Sequence, residues 1–207
     1  MNYLINSGYG LQGEISLPGD KSISHRSIIL GSLATGITNV FNFLDSADAR
    51  STINAMRMLG VEIEGPKNGN VKICGVGMEG LQPPNSSLDM GNSGTSMRLL
   101  TGLLAAQSFD SSLHGDDSLM SRPMRRVIDP LNSMGGCVMG NENGYPPILV
   151  SGNRRLKGIN YDLPMASAQV KSCLLLAGMF ADGITSLKEP AVTRDHTERM
   201  LEGFGYP

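Results

Sequence analysis

Gly31-Ser-Leu-Ala-Thr-Gly36-Ile-Thr-Asn-Val40 and Gly178-Met-Phe-Ala-Asp-Gly183-Ile-Thr-Ser-Leu187 share five of ten residues at an offset of 147. Each reads as the end of an apolar helix, a glycine turn and the start of a short strand. A middle copy, Ser93-Gly-Thr-Ser-Met-Arg98-Leu-Leu-Thr-Gly-Leu-Leu-Ala-Ala106, opens with small polar residues and continues apolar. A second helix follows in each copy, over Ala47–Leu59, Arg122–Met134 and Arg194–Phe204. Gly60, Gly135 and Gly205 stop these helices, glycine being the residue that best tolerates a left-handed C-cap. Val61–Glu64 and Cys137–Met139 then read as strands, each followed by a turn and a second strand, Asn70–Cys74 and Tyr145–Val150.

The unit is therefore strand–helix–strand–helix–strand–strand, about 70–75 residues long and repeated nearly three times. That period exceeds the ~20–50 residues of common solenoid repeats, which favours a closed three-fold arrangement. The expected fold is α/β of the α+β type: three βαβαββ units around a pseudo-three-fold axis, near residues 15–80, 85–155 and 160–207. The third unit has no closing strands before Pro207. It reads either as an imperfect last repeat or as a truncated one. The need of each earlier unit for a hairpin over its helices favours truncation.

Composition narrows the function. The 207 residues carry 17 Lys+Arg against 19 Asp+Glu, a formal charge of −2, so a basic nucleic-acid face is not expected. Trp is absent and aromatics are 5%, which leaves few platforms for stacking bases or sugars. No apolar run approaches the ~20 residues of a membrane span. The opening MNYLINSGYGLQGE lacks the basic and apolar regions of a secretory leader. Cys74, Cys137 and Cys173 are odd in number and scattered, unlike a disulfide framework or a zinc site. A cytoplasmic location, no membrane association and no metal or other cofactor are the expectations.

Candidate chemistry sits at the helix entrances. Pro18-Gly-Asp-Lys21-Ser22-Ile-Ser-His25-Arg26 places two cations and hydroxyls where backbone N–H groups attract anions. It is not a phosphate-binding P-loop, because Asp20 separates the glycine from Lys21. Asp89-Met-Gly91-Asn-Ser-Gly94-Thr95 offers a glycine-rich turn, and Pro164-Met-Ala-Ser167-Ala168-Gln169 a hydroxyl and an amide. Taken singly, each also reads as a turn with a helix cap. Arg122 and Arg194 stand at the second-helix entrances, where the macrodipole disfavours a cation. Together the repeats bring Lys, Arg, Ser and Gln to one face, suited to a small molecule with several phosphate or carboxylate groups. His25, His114 and His196 are acid–base candidates by residue type only, with a structural role the simpler reading.

Pro18–Arg26, Gly91–Arg98, Ser121-Arg-Pro123, Ala166-Ser-Ala-Gln-Val-Lys-Ser172 and Thr193-Arg-Asp-His-Thr-Glu198 resemble, in order and spacing, the 5-enolpyruvylshikimate-3-phosphate synthase family over essentially the whole chain. The resemblance implies two domains of three units each, with helix entrances facing the cleft between them. The present chain corresponds to the N-terminal half. Residues 1–14 would belong with the second domain and 15–207 would form the first.

The implied reaction moves the enolpyruvyl group of phosphoenolpyruvate to the 5-hydroxyl of shikimate 3-phosphate and releases phosphate. Lys21 would be catalytic and touch both substrates. Ser22, Arg26, Ser167, Ala168, Gln169 and Arg194 would hold shikimate 3-phosphate. Gly94 and Arg122, with Gln169, would hold phosphoenolpyruvate. Where relatives have Ser-Ser-Gln this chain has Ser167-Ala168-Gln169, so one hydroxyl toward the phosphate is lost and Arg194 would offset it. The missing C-terminal domain is the implied partner. Without it, the chain is expected to be an inactive half-site. The related UDP-N-acetylglucosamine enolpyruvyl transferases usually have Lys-Asn in place of Lys21-Ser22 and a cysteine-bearing loop that this chain lacks.

Overall fold

The structure, a computed structural model, describes residues 3, 4, 6–8, 10, 12–152 and 155–206. Three inner helices form its centre: α1 (Lys21–Leu33), α3 (Gly94–Ala105) and α6 (Ala168–Gly178). α1 is buried continuously from Ser24 to Leu33, and α3 nearly throughout. That explains why neither shows a polar stripe: a helix enclosed on all sides is apolar or small all round. Glycine permits the closest approach. A Cβ at Gly102 of α3 would stand 2.2 Å from the Cys173 carbonyl oxygen of α6. The outer helices α2 (Ala47–Met58), α5 (Arg125–Ser133) and α7 (His196–Gly203) bury one face each.

The sheets repeat one pattern. In the first unit the order is β1 (Thr35–Val40), β3 (Asn70–Val76), β2 (Glu62–Lys67), with β3 antiparallel to both neighbours. The second unit has β5 (Ser111–His114), β7 (Ile148–Val150), β6 (Val138–Met139) in the same arrangement. A leading strand, β4 (Leu88–Asp89), lies parallel to β5. The third unit has β8 (Asn160–Asp162) parallel to β9 (Ser186–Lys188), and among the described residues no further strand joins them.

Three expectations need correction. The first unit lacks its leading strand among the described residues. Residues 12–18 are exposed and form no ladder, and a lone extended segment has neither hydrogen-bond partner nor buried face to hold it. Arg122 does not open a helix. A short helix, α4 (Asp117–Met120), precedes it, and α5 starts only at Arg125. Pro123 drives the residue before it out of helical geometry, and Met124 N donates to Gly144 O instead. Arg194 likewise lies before α7, in the segment leading to its Asp195 cap. Neither arginine therefore opposes a helix dipole from within the first turn.

Candidate anion-binding site

Three helix entrances meet at one end of the inner helices. Asp20 Oδ1 caps α1 by accepting from Ile23 N at 2.8 Å. Ser93 Oγ caps α3 through Ser96 N at 3.0 Å, and Ser167 Oγ caps α6 through Val170 N at 3.4 Å. Each cap satisfies one orphan N–H, leaving other first-turn donors to face the space between the helices. A cavity of about 190 Å³ occupies that space, lined by Lys21, Ser22, His25, Arg26, Thr95, Ala168, Gln169 and Arg194. Larger clefts of about 620 and 520 Å³ lie elsewhere, beside α6 and α7 and beneath Met78, Gln107 and Phe180. Neither gathers cations in this way.

The arginines differ in freedom. Arg26 is only 4% exposed. Its Nε donates to Thr197 Oγ1 at 2.6 Å, Nη1 to Ser22 Oγ at 2.6 Å and Nη2 to Ser172 Oγ at 2.5 Å. It thus clamps α1, α6 and α7 together. Burial, then the nearby Arg194, pull its pKa down to about 10, so it remains a cation at neutral pH. Arg194 is exposed and has no hydrogen bond or ion pair among the described residues, which leaves its guanidinium available to a ligand. Lys21 pairs with Asp48 Oδ2 at 2.9 Å in an exposed bridge. Such a contact is weak enough to exchange for a denser anion.

A second cationic group adjoins the cavity behind Gln169. Arg98 Nη1 donates to Gln169 Oε1 at 2.6 Å, and Gln169 Nε2 to Thr95 Oγ1 at 2.9 Å. Arg122 Nη2 donates to Asn92 Oδ1 at 2.5 Å. Gly94 leaves room for both guanidinium groups: a Cβ there would meet Arg98 Nη1 at 2.8 Å and Arg122 Nη1 at 3.3 Å, and these side-chain ends would have to shift. Burial, then Arg126 and Arg122, lower the Arg98 pKa to about 10.

Six of the residues singled out in the sequence therefore line one cavity: Lys21, Ser22, Arg26, Ala168, Gln169 and Arg194. Gly94 and Arg122 stand beside it, and Ser167 caps the helix at its rim. Sequence reasoning assigned no role to Arg98 or Thr95, and named His25, which also lines the cavity, only as an acid–base candidate by residue type with a structural role the simpler reading. The signal for Arg98 was a lone cation inside an apolar helix. His25 is fully buried, with Nδ1 2.7 Å from Thr52 Oγ1. Thr52 Oγ1 in turn lies 2.7 Å from Ser96 Oγ, which donates to Ser93 Oγ at 2.7 Å. This chain of hydroxyls joins α1 and the middle of α2 to the entrance of α3. Burial dominates the His25 pKa and pushes it down to about 4, Lys21 and Arg26 adding to the effect and Asp48 opposing it, so the ring is neutral at pH 7. No cluster of three or more His, Cys, Asp or Glu suited to a metal occurs among the described residues. No described helix is long and apolar enough to cross a membrane.

These features define a class of protein: a repeated α/β domain that gathers helix entrances and cations around one small cavity. The family profile described as EPSP synthase (3-phosphoshikimate 1-carboxyvinyltransferase) matches residues 5–207, and the chain belongs to that family. The 3-phosphoshikimate 1-carboxyvinyltransferase of Methylococcus capsulatus is 61% identical over 97% of this chain, and that of Alkalilimnicola ehrlichii 58% identical over all of it. In both cases the match covers 46% of the relative, so the chain spans about half the length of these curated relatives. A solved EPSP synthase from Acinetobacter baumannii superposes with a TM-score of 0.92 at 59% identity, covering 94% of this chain and 44% of that one. The fold is thus that of the enolpyruvyl transferases.

Proposed function

We propose that this chain forms the shikimate 3-phosphate half of a site that transfers the enolpyruvyl group of phosphoenolpyruvate to the 5-hydroxyl of shikimate 3-phosphate. The observation that carries this reading is the convergence of Lys21, Arg26 and Arg194 with the entrances of α1 and α6 on one small cavity. Arg194, with no partner among the described residues, takes the 3-phosphate together with Ser167 and the first-turn N–H groups of Ala168 and Gln169. Ser22, oriented by Arg26, meets the ring hydroxyls and carboxylate. Arg122 and the backbone of Gly94 receive phosphoenolpyruvate, with Gln169 between the two ligands.

In the reaction, carbon 3 of phosphoenolpyruvate gains a proton and the 5-hydroxyl oxygen bonds to carbon 2. The hydroxyl proton is lost, and the tetrahedral adduct expels phosphate as the enolpyruvyl double bond re-forms with loss of a proton from carbon 3. Lys21, freed from Asp48, stands where both anions meet. Two dense anions side by side need fixed donors in a water-poor site, because at ~4 Å a unit charge pair is worth only about 1 kcal/mol in bulk water. Here the cavity is open on one side, so a second wall, the C-terminal domain of the family, completes it.

Phosphate release from the two substrates tests the reading. The 207-residue chain alone should show none, and adding the C-terminal half of a relative should restore turnover that Lys21→Ala abolishes. Steady turnover by the isolated chain would overturn the need for a second wall. No turnover in the restored protein would overturn the reaction itself.

A further inference from the structure

The segment that carries Arg194 has no apolar anchor. No residue from Lys188 to His196 is buried, and Val192 is 98% exposed. Its ends are fastened by Lys188 O, which accepts from Leu163 N at 2.8 Å, and by His196 Nδ1, 3.0 Å from Ser22 Oγ; between them the tie is one lysine of α6. The Lys171 side chain is 7% exposed, and its Nζ lies 2.5 Å from Glu189 Oε1 and 2.6 Å from Glu198 Oε1. Thr193 Oγ1 donates to the other Glu189 oxygen. A single ammonium therefore ties the residue that opens the segment to the first turn of α7 that closes it. Thr193, next to Arg194, hangs from the same carboxylate.

A buried lysine is a costly way to stabilise a fold; a well-packed apolar side chain would do as well or better. Its retention here points to geometry. Burial works against the charge on Lys171, but the two glutamates outweigh it and raise its pKa, so the pin stays ionised. The repeat supports the same reading. At the 147-residue offset, α1 has Ser24, whose Oγ accepts from Leu44 N at 3.0 Å and so fastens the segment leading into α2. In both units this helix position pins the loop before the second helix.

We propose that Lys171 is a positioning residue that, through Glu189 and Glu198, holds Arg194 over the cavity and thereby sets affinity for the ligand's phosphate without touching it. Lys171 does not line the cavity. The proposal rests on the reading of Arg194 as the phosphate ligand. Calorimetry on the 207-residue chain, with shikimate 3-phosphate and with shikimate as probes, tests it. Lys171→Met should weaken shikimate 3-phosphate about tenfold, the effect of one displaced charge-assisted contact, and leave shikimate unchanged. It should add nothing in an Arg194→Ala background, and Lys171→Arg should restore most of the loss. Equal losses for both probes, or additivity with Arg194→Ala, would overturn the proposal. Hydrogen exchange gives a ligand-free readout: Lys171→Met should speed exchange in residues 189–195 and leave α1 and α3 unchanged. Unchanged exchange there also overturns it. Should Lys171→Met not fold, Glu189→Gln carries the same expectations. A wild-type chain that binds neither probe, yet shows the exchange effect, would sink the phosphate reading and leave the tether standing.

Discussion

The first and third units begin alike and end differently. In the first, β3 closes the sheet over α1, and a Cβ at Gly31 would meet Ile73 Cδ1 of β3 at 2.8 Å and Thr38 Cβ at 3.2 Å. In the third, Gly178 meets Thr185 Cβ at 3.0 Å, at the same offset, and its nearest neighbours are all Thr185 atoms. The place of β3 is taken by the 620 Å³ cleft along Leu175, Met179 and Leu201, and Ile184 beside it is 86% exposed. Yet the turn after the helix is the same, with φ +88 at Gly36 and +90 at Gly183, and Asp20 and Ser167 cap their helices at equivalent positions. The two ends of a unit's first helix are thus shaped locally, by a side-chain cap at its entrance and a glycine turn beyond its exit. The sheet behind it supplies stability rather than shape.

The largest expected effect separates the sheets. Ile73→Ala removes a fully buried side chain from the closed unit and should cost about 2–5 kcal/mol. Leu187→Ala, in the half-covered strand of the third unit, should cost about 1 kcal/mol or less. Urea melts of both variants check this; equal losses would mean that the two sheets contribute alike and the contrast is false.

Protonation offers the next test, because the first unit has His25 where the third has Ser172. The folded-state pKa of His25 lies near 4, below the 6.5 of an exposed imidazole. The unfolded chain therefore binds the proton first. Stability is full above pH 6.5 and falls as pH drops toward 4, by up to about 3 kcal/mol. Urea midpoints between pH 7 and 4.5 should show that slope, and His25→Gln should flatten it whatever it does to stability at pH 7. A slope unchanged by the substitution would assign the loss to other groups.

The smallest effect should be equal in both units. Neither Gly36 nor Gly183 has an atom within 4 Å of a built Cβ, and both have positive φ. Alanine at each should cost about 1 kcal/mol, from backbone strain alone. Thermal melts that differ between the two variants by much more than half of that would show that the turns are not equivalent.

Much of the site was legible because its signals are local. A cap is read within three residues, as at Asp20 and Ile23, and a glycine turn within one. What misled was also local: Arg122–Met134 looked like one helix until the restriction that Pro123 places on Arg122 was set against the apolar spacing. Arg98 went unassigned because its partner, Gln169, is 71 positions away and no pattern along the chain links them.

By itself, the sequence determined the three-unit repeat, the caps and glycine stops of its helices, and most of the polar residues that face the cavity. Helix periodicity, capping and left-handed turns depend on backbone geometry over a few residues, and they survive in the third unit although its sheet holds only two described strands. Only the tertiary structure decided which cation is free and which is spent. Arg26 is fastened to Thr197, 171 positions away, and to Ser172, 146 away, while Arg194 is left unpaired among the described residues and Lys171 is turned from a surface charge into a buried pin. A guanidinium or ammonium takes whatever partners packing brings within about 3 Å, and that neighbourhood exists only once α1, α6 and α7 have closed on one another.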